Sequence, residues 1–161
     1  MKNQIESEAP IETRQLFHLD EFAEIVRLQQ VIWGFADVEL VPLRFLVVVS
    51  KIGGHVFGAF DAAKPGIPMI GFCFSMPGVT TSGHVYLHSH MLGVLPEYRN
   101  TGIGAKILRF LIDRARARGV HKAILHAQLT AEGFYLKEGF NPIGEVFEEA
   151  GIAHRLMERN L

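Results

Sequence analysis

Apolar residues recur along this chain at two spacings, and the spacing assigns the elements. Ile103, Ile107, Leu108, Leu111, Ile112 and Ala115 fall on one stripe at the helical repeat. Lys106, Arg109, Asp113, Arg114 and Arg116 fall off it, and Gly119 stands where a helix would stop. Phe22, Ile25, Val26, Ile32 and Trp33 follow the same repeat, behind Asp20 as the predicted N-cap and ahead of Gly34 as the predicted stop. Other segments alternate with a period of two and predict strands at residues 11–17, 55–61, 69–76 and 84–94, with turns at 64–68 and 77–83. The alternation sets Ile70, Phe72, Phe74 and Met76 against Gly71, Cys73 and Ser75. Further on it sets Val85, Leu87, Ser89 and Met91 against Tyr86, His88, His90 and Leu92. Residues 42–51 carry both signals, because Pro42 suits a first helical turn while Val47, Val48 and Val49 favour a strand; a short buried helix is the expectation. Beyond Gly119, a strand at 123–129, a short helix capped by Thr130 and stopped by Gly139, and strands at 140–148 and 153–158 complete a mixed α/β layer fold.

Composition narrows the function classes. Sixteen Lys and Arg against seventeen Asp and Glu leave a net charge of −1, so there is no positive field for nucleic acid. The single cysteine, Cys73, excludes an internal disulfide and a multi-cysteine zinc site, and a reducing, cytoplasmic location is expected. No apolar run approaches the ~20 residues of a membrane helix, and residues 1–10 are polar and acidic, which predicts a flexible tail and no membrane partner. Without internal repeats, residues 1–161 read as one domain.

Between the strand ending near Val94 and the helix from Ile103 lies the turn Pro96-Glu97-Tyr98-Arg99-Asn100-Thr101-Gly102-Ile103-Gly104. A glycine-rich turn at a helix N-terminus offers unpaired N–H groups and the positive end of the helix dipole to an anion. No Gly-Lys-Ser/Thr follows, and the third glycine of a dinucleotide fingerprint is missing, so two other phosphate motifs are excluded. An ordinary strand-to-helix turn is the plain alternative.

Arg99-Asn100-Thr101-Gly102-Ile103-Gly104 resembles the pyrophosphate loop of the GNAT superfamily of acyl-CoA-dependent N-acyltransferases, Gln/Arg-x-x-Gly-x-Gly/Ala, at every position. The preceding Leu92-Gly93-Val94-Leu95-Pro96-Glu97-Tyr98 is similar to the family's fourth strand and its exit. Ala131-Glu132-Gly133-Phe134-Tyr135-Leu136-Lys137-Glu138-Gly139-Phe140, about 30 residues on, is similar to its late helix. The resemblance implies a twisted, mostly antiparallel sheet splayed between strands four and five and flanked by helices. It also implies acetyl-CoA as donor, with Leu92, Gly93 and Val94 along the pantetheine arm. The pyrophosphate would lie on the backbone from Arg99 and Asn100 through Thr101, Gly102, Ile103 and Gly104 to Ala105, where only the glycines would be irreplaceable. One departure is Thr130, where the family often has Asn.

Acyl transfer to an amine needs the nitrogen neutral, although a free alkylamine titrates near 10. The resemblance places His88 where several members carry a general base, with His90 in reserve; packed strand histidines are the alternative. It places Tyr135 where the family's acid protonates the departing thiolate. Helical geometry adds that Phe134 and Tyr135 point about 100° apart, so a buried Phe134 turns Tyr135 toward the cleft. His84, His88 and His90 share a nominal face with metal-compatible spacing, but no cysteine or strand carboxylate accompanies them, and no metal is expected. Cys73 reads as a packed thiol. Arg109, Arg114, Arg116 and Arg118 form a solvated face or reach a CoA phosphate. Trp33, Gly34 and Phe35 fall where the family has a pocket wall, and Glu148, Glu149 and His154 are further pocket candidates. The expectation is an N-acetyltransferase acting on a primary amine through a ternary complex, possible as a homodimer; a non-catalytic acyl-CoA-binding module is the alternative.

Overall fold

The computed structural model describes residues 10–161, so the expected tail, apart from Pro10, lies outside the described residues. The elements are β1 (Ile11–Gln15), α1 (Leu19–Trp33), α2 (Leu43–Lys51), β2 (His55–Asp61), β3 (Met69–Val79), β4 (Val85–Val94), α3 (Ile103–Ala117), β5 (Lys122–Gln128), α4 (Glu132–Lys137), β6 (Asn141–Glu149) and β7 (Ile152–Asn160). The strands form one sheet in the order β1-β2-β3-β4-β5-β7-β6, antiparallel throughout except for the parallel pair β4 and β5. This is the mixed α/β arrangement that the sequence predicts.

The core lies in two layers because the sheet has helices on both faces. The stripe of α3 packs with Phe57, Ala59, Leu87 and Leu125 on one side. On the other, Phe22, Ile25 and Leu28 of α1 and Leu46 and Val49 of α2 pack with Val56, Phe72 and Phe74. β2 runs between the layers and is buried at all seven positions. The ambiguous 42–51 segment is helical, with Pro42 as its N-cap residue. Gly34, at φ 70°, ends α1 in the left-handed conformation that glycine accepts.

Several expectations are corrected. α1 begins two residues earlier than Asp20 predicts: the Glu21 carboxylate accepts the N–H groups of Phe17 (2.9 Å) and His18 (3.0 Å), so His18 is the N-cap residue. β3 continues through Pro77 to Val79, because β2 has already ended opposite Ser75 and the missing N–H of Pro77 falls on a free edge. Thr130 caps nothing; it lies in a short 3₁₀ turn, and α4 starts after Ala131.

Two register shifts overturn the predicted faces. In β3, Gly71 opposes Ala59 and Met69 opposes Phe60, so Ile70 is an extra residue and packs beside Cys73 rather than Phe72. In β4, Met91 opposes Phe74 and Ser89 opposes Ser75, so His90 is extra. Leu92 then shares the α3 side with Leu87, while Met91 joins Phe72 and Phe74. A one-residue bulge reverses every side chain beyond it.

Candidate functional site

β4 pairs with β3 along its whole length but with β5 only at Leu87, His88 and Ser89. Beyond Ser89 the strands part, leaving the β5-facing edge of His90 through Val94 without a partner strand, so Leu92, Gly93 and Val94 border an open gap. An unpaired strand edge can bind a chain that carries amides of its own. Gly93 is required by packing: a Cβ there would lie 2.7 Å from the Trp33 indole and 3.0 Å from the Ile32 side chain.

At the end of that edge the turn 99–105 presents its backbone. None of the N–H groups from Asn100 through Ala105 donates to a backbone carbonyl, and Asn100 (φ 61°) and Gly102 (φ 83°) both hold the left-handed conformation. Successive free N–H groups at the start of a fifteen-residue helix form a cradle for a phosphate, so the residues present fit a CoA pyrophosphate. Residues other than the glycines also shape the turn. Asn100 carries a positive φ, Ile103 is buried in the core, and Gly104 would accept a Cβ at ordinary contact, 3.7 Å from Leu92 and Phe134.

Side chains set the cradle's position. Tyr98 donates to the Asp61 carboxylate at 2.6 Å, Thr101 donates to the Tyr98 carbonyl at 2.6 Å, and Arg99 donates to the carbonyls of Ile32 (3.1 Å) and Val94 (3.4 Å). Arg99 thus ties the turn to the C-terminus of α1. The helix arginines are also committed. Arg109 pairs twice with Glu138 at 2.9 Å, Arg116 reaches Asp113, Arg114 covers the Phe110 ring and Arg118 donates to the Gly53 carbonyl, which leaves no free cluster for a CoA phosphate.

Where α1 and α2 leave the sheet face uncovered, a cleft of about 580 Å³ opens over β4, β5 and β7. His88, His90, His126 and His154 line it, with Trp33, Phe35 and Val38 on one wall and Glu149, Ala150 and Ile152 on the other. Trp33 and Phe35 stack at 5.4 Å. Ala150 (φ 51°) and Gly151 (φ 75°) form the tight turn that sets Glu149 opposite Ile152. Burial holds His88 neutral, its proton affinity lowered to about 4, and lowers that of His90 as well. The His88 ring lies 5.7 Å from that of His90 and 5.3 Å, edge to face, from that of His126. His126 Nδ1 is 3.2 Å from the Glu149 carboxylate, and His154 Nε2 is 4.0 Å from it. A carboxylate oxygen accepts, so Nδ1 of His126 is the donor in this contact and Nε2 faces away from it.

Tyr135 lines the same cleft. Its ring also packs edge to face on Phe134 at 4.9 Å and on Phe140 at 5.8 Å, so both aromatic residues of α4 touch the core, contrary to the expected division between them. Burial pushes the phenol up to about 12. Cys73 is fully buried and its thiol is pushed far up, which makes it an inert packing group. His84 precedes β4 and bonds Ser82 at 2.9 Å, so the expected three-histidine face does not form. Among the described residues no group of three His, Cys, Asp or Glu is placed to hold a metal ion.

The structure brings together His88, His90, Tyr135, Trp33, Phe35, Glu149 and His154 and leaves Glu148 outside the cleft. Sequence reading missed His126 and Gln128. The available signal was the alternation in β5, where buried Ala123, Leu125 and Ala127 leave His126 and Gln128 on the opposite face.

A model of the acetyltransferase (GNAT) domain matches residues 70–161. YyaT of Bacillus subtilis is 35% identical over 68 residues, which cover 42% of this chain and 46% of that protein. YjcF of the same organism, named an N-acetyltransferase, is 37% identical over 68 residues, 42% of this chain and 49% of that protein. In these matches the chain spans about half the length of its curated relatives. Among solved structures, NAA60 of Arabidopsis thaliana with a bisubstrate analogue superposes at a TM-score of 0.78 with 15% identity, covering 94% of this chain and 99% of that one. PaiA N-acetyltransferase of Thermoplasma acidophilum, in complex with coenzyme A, does so at 0.71 with 17% identity and the same coverage. A chain of the NatC complex bound to Gag peptide and CoA superposes at 0.76 with 18% identity, covering 94% of this chain and 98% of that one.

Proposed function

Because this chain belongs to the GNAT family of acetyltransferases, we propose that it transfers an acetyl group from acetyl-CoA to a primary amine by direct attack within a ternary complex. The observation that carries this reading is the pairing of an open β4 edge with six consecutive backbone N–H groups that lack backbone acceptors. Acetyl-CoA is the donor substrate in this reading. Its pantetheine lies along Leu92, Gly93 and Val94, and its pyrophosphate lies on the backbone from Arg99 to Ala105.

In the cleft, held against the thioester carbonyl, the amine nitrogen gains effective concentration rather than a new chemical route. The amine attacks as the free base, its ammonium proton having passed to solvent at the open cleft. His88, neutral at pH 7, accepts the second proton that the nitrogen loses as the C–N bond forms and the C–S bond breaks, the electron pair leaving with the CoA sulfur. Its buried ring holds charge poorly and passes the proton through His126 toward Glu149. Tyr135 donates a hydrogen bond to the departing sulfur. A phenol near 12 stays protonated at neutral pH and stabilises a thiolate without needing to ionise first. The ligands of the neighbours, a Gag peptide in the NatC complex and a bisubstrate analogue in NAA60, support an amine acceptor.

The test is thermal unfolding with and without acetyl-CoA, followed by thiol release in the presence of amines. At ~100 times its dissociation constant the ligand adds ~2.7 kcal/mol of stability. No stabilisation at millimolar acetyl-CoA would reject the reading.

A further inference from the structure

The cleft narrows the acceptor further than the reaction class does. Its wall on the α1 side is apolar and partly open: Trp33 and Phe35 stack there at 17° between their planes, and Val38 is 95% exposed beside them. Apolar side chains left to solvent at the rim of a concave site are the surface that a ligand's apolar body covers. On the opposite wall Glu149 supplies a carboxylate within reach of His126 and His154. The other lining carboxylate, Glu39, is engaged by the Ala36 N–H at 2.8 Å. No Lys or Arg lines the cleft among the described residues, so nothing there would balance an acceptor's own carboxylate or phosphate.

Resting on the acetyl-transfer reading, we infer that the acceptor is a monocationic primary amine with an apolar, preferably aromatic, body, its ammonium directed to Glu149 and its body laid on Trp33 and Phe35. Amino acids with a free α-carboxylate are disfavoured because their negative charge would be desolvated beside Glu149 without a partner. Polyamines are disfavoured because they bring no apolar body to cover Trp33, Phe35 and Val38, and Glu39, the carboxylate left for a second charge, is already engaged by the Ala36 N–H. An arylalkylamine and a peptide with an aromatic first residue share the required chemistry.

The experiment compares kcat/KM for thiol release at saturating acetyl-CoA with phenethylamine, n-butylamine, L-phenylalanine, spermidine and phenylalanyl-alanine amide. Phenethylamine or the peptide amide should exceed n-butylamine, L-phenylalanine and spermidine by at least ~10-fold, the scale of discrimination in a hydrophobic pocket. Which of the two is faster distinguishes a small amine from a chain N-terminus. Phe35→Ala should shrink the ratio of phenethylamine to n-butylamine, and Glu149→Gln should raise KM for both amines. Equal or faster turnover of spermidine or L-phenylalanine overturns the inference and leaves acetyl transfer standing. Turnover of none of the five also overturns it, and acetyl-CoA binding by calorimetry then decides whether the acetyl-transfer reading falls with it.

Discussion

Gly102 offers the sharpest separation between backbone conformation and bulk. Its φ of 83° is left-handed, and a Cβ added there would meet nothing within 4 Å, so a substitution acts through the backbone alone. Forcing an L-residue into this region costs roughly 1–2 kcal/mol, and a β-branched side chain sits at the upper end. In a chain of this size each kcal/mol moves the melting temperature by ~2–4 °C, so Gly102→Val should lower it by ~2–8 °C. The effect on donor binding should be larger in kind. If the strained turn relaxes and withdraws two N–H groups from the pyrophosphate, the loss of charged hydrogen bonds worth ~1.5–3 kcal/mol each weakens binding ~100-fold or more. At a concentration 100 times the wild-type dissociation constant, stabilisation then falls from ~2.7 to ~0.4 kcal/mol, or from ~5–10 °C to ~1–2 °C in a thermal scan. Gly102→Asn is the matched control, because Asn tolerates φ > 0 and the same turn already holds Asn100 at 61°. Asn should retain most of the acetyl-CoA shift that Val loses. Equal loss in both would show that side-chain bulk, not conformation, is what the site excludes. An undiminished shift in Gly102→Val would refute the cradle.

Other outcomes follow from named groups. Tyr135→Phe should lower kcat by ~10²-fold with little change in acetyl-CoA affinity, measured by steady-state kinetics and calorimetry; unchanged kcat would remove the phenol from the mechanism. His88 is active when neutral and its affinity for a proton is lowered to about 4, so the pH profile of kcat at saturating acceptor should follow the free amine alone between pH 7 and pH 5, with no break near 6.5; an added break centred near 6.5 would assign the limb to an unshifted histidine. His55 is buried with Nε2 unpartnered, and desolvation, then Arg118 and Arg114, lowers it to about 4. The unfolded chain takes up a proton below ~6.5 that the folded chain refuses until about 4, so stability should fall across that window. His88 and His90 are lowered as well and add to the fall. The His55 share, of order 1 kcal/mol by pH 5 after allowance for solvent screening, is therefore read as the part of the pH 7 to 5 difference in urea unfolding that His55→Phe removes. Glu138→Ala leaves Arg109 without its two bonds and should lower the urea midpoint only slightly, with acetyl-CoA binding intact.

What the sequence determined by itself was local. The α3 stripe, the left-handed stop at Gly34, the alternation of β5 and the turn 99–105 all depend on residues within a few positions of one another, where side-chain period and backbone preference suffice. Tertiary structure decided the faces and the meeting points. Ile70 and His90 are extra residues only because of the strands they pair with, and each reverses the predicted faces beyond it although the composition is unchanged. The gap that opens after Ser89 exists because β4 and β5 stay paired for only three residues. Glu149 reaches His126, and shares the cleft with His88, because β7 pairs with β5 and carries the β6–β7 turn to the cleft, bringing together residues 61 positions apart in the chain from His88 to Glu149. Strand order and register are properties of the whole sheet, set by which long-range pairings bury the most apolar surface, and a local pattern does not encode them.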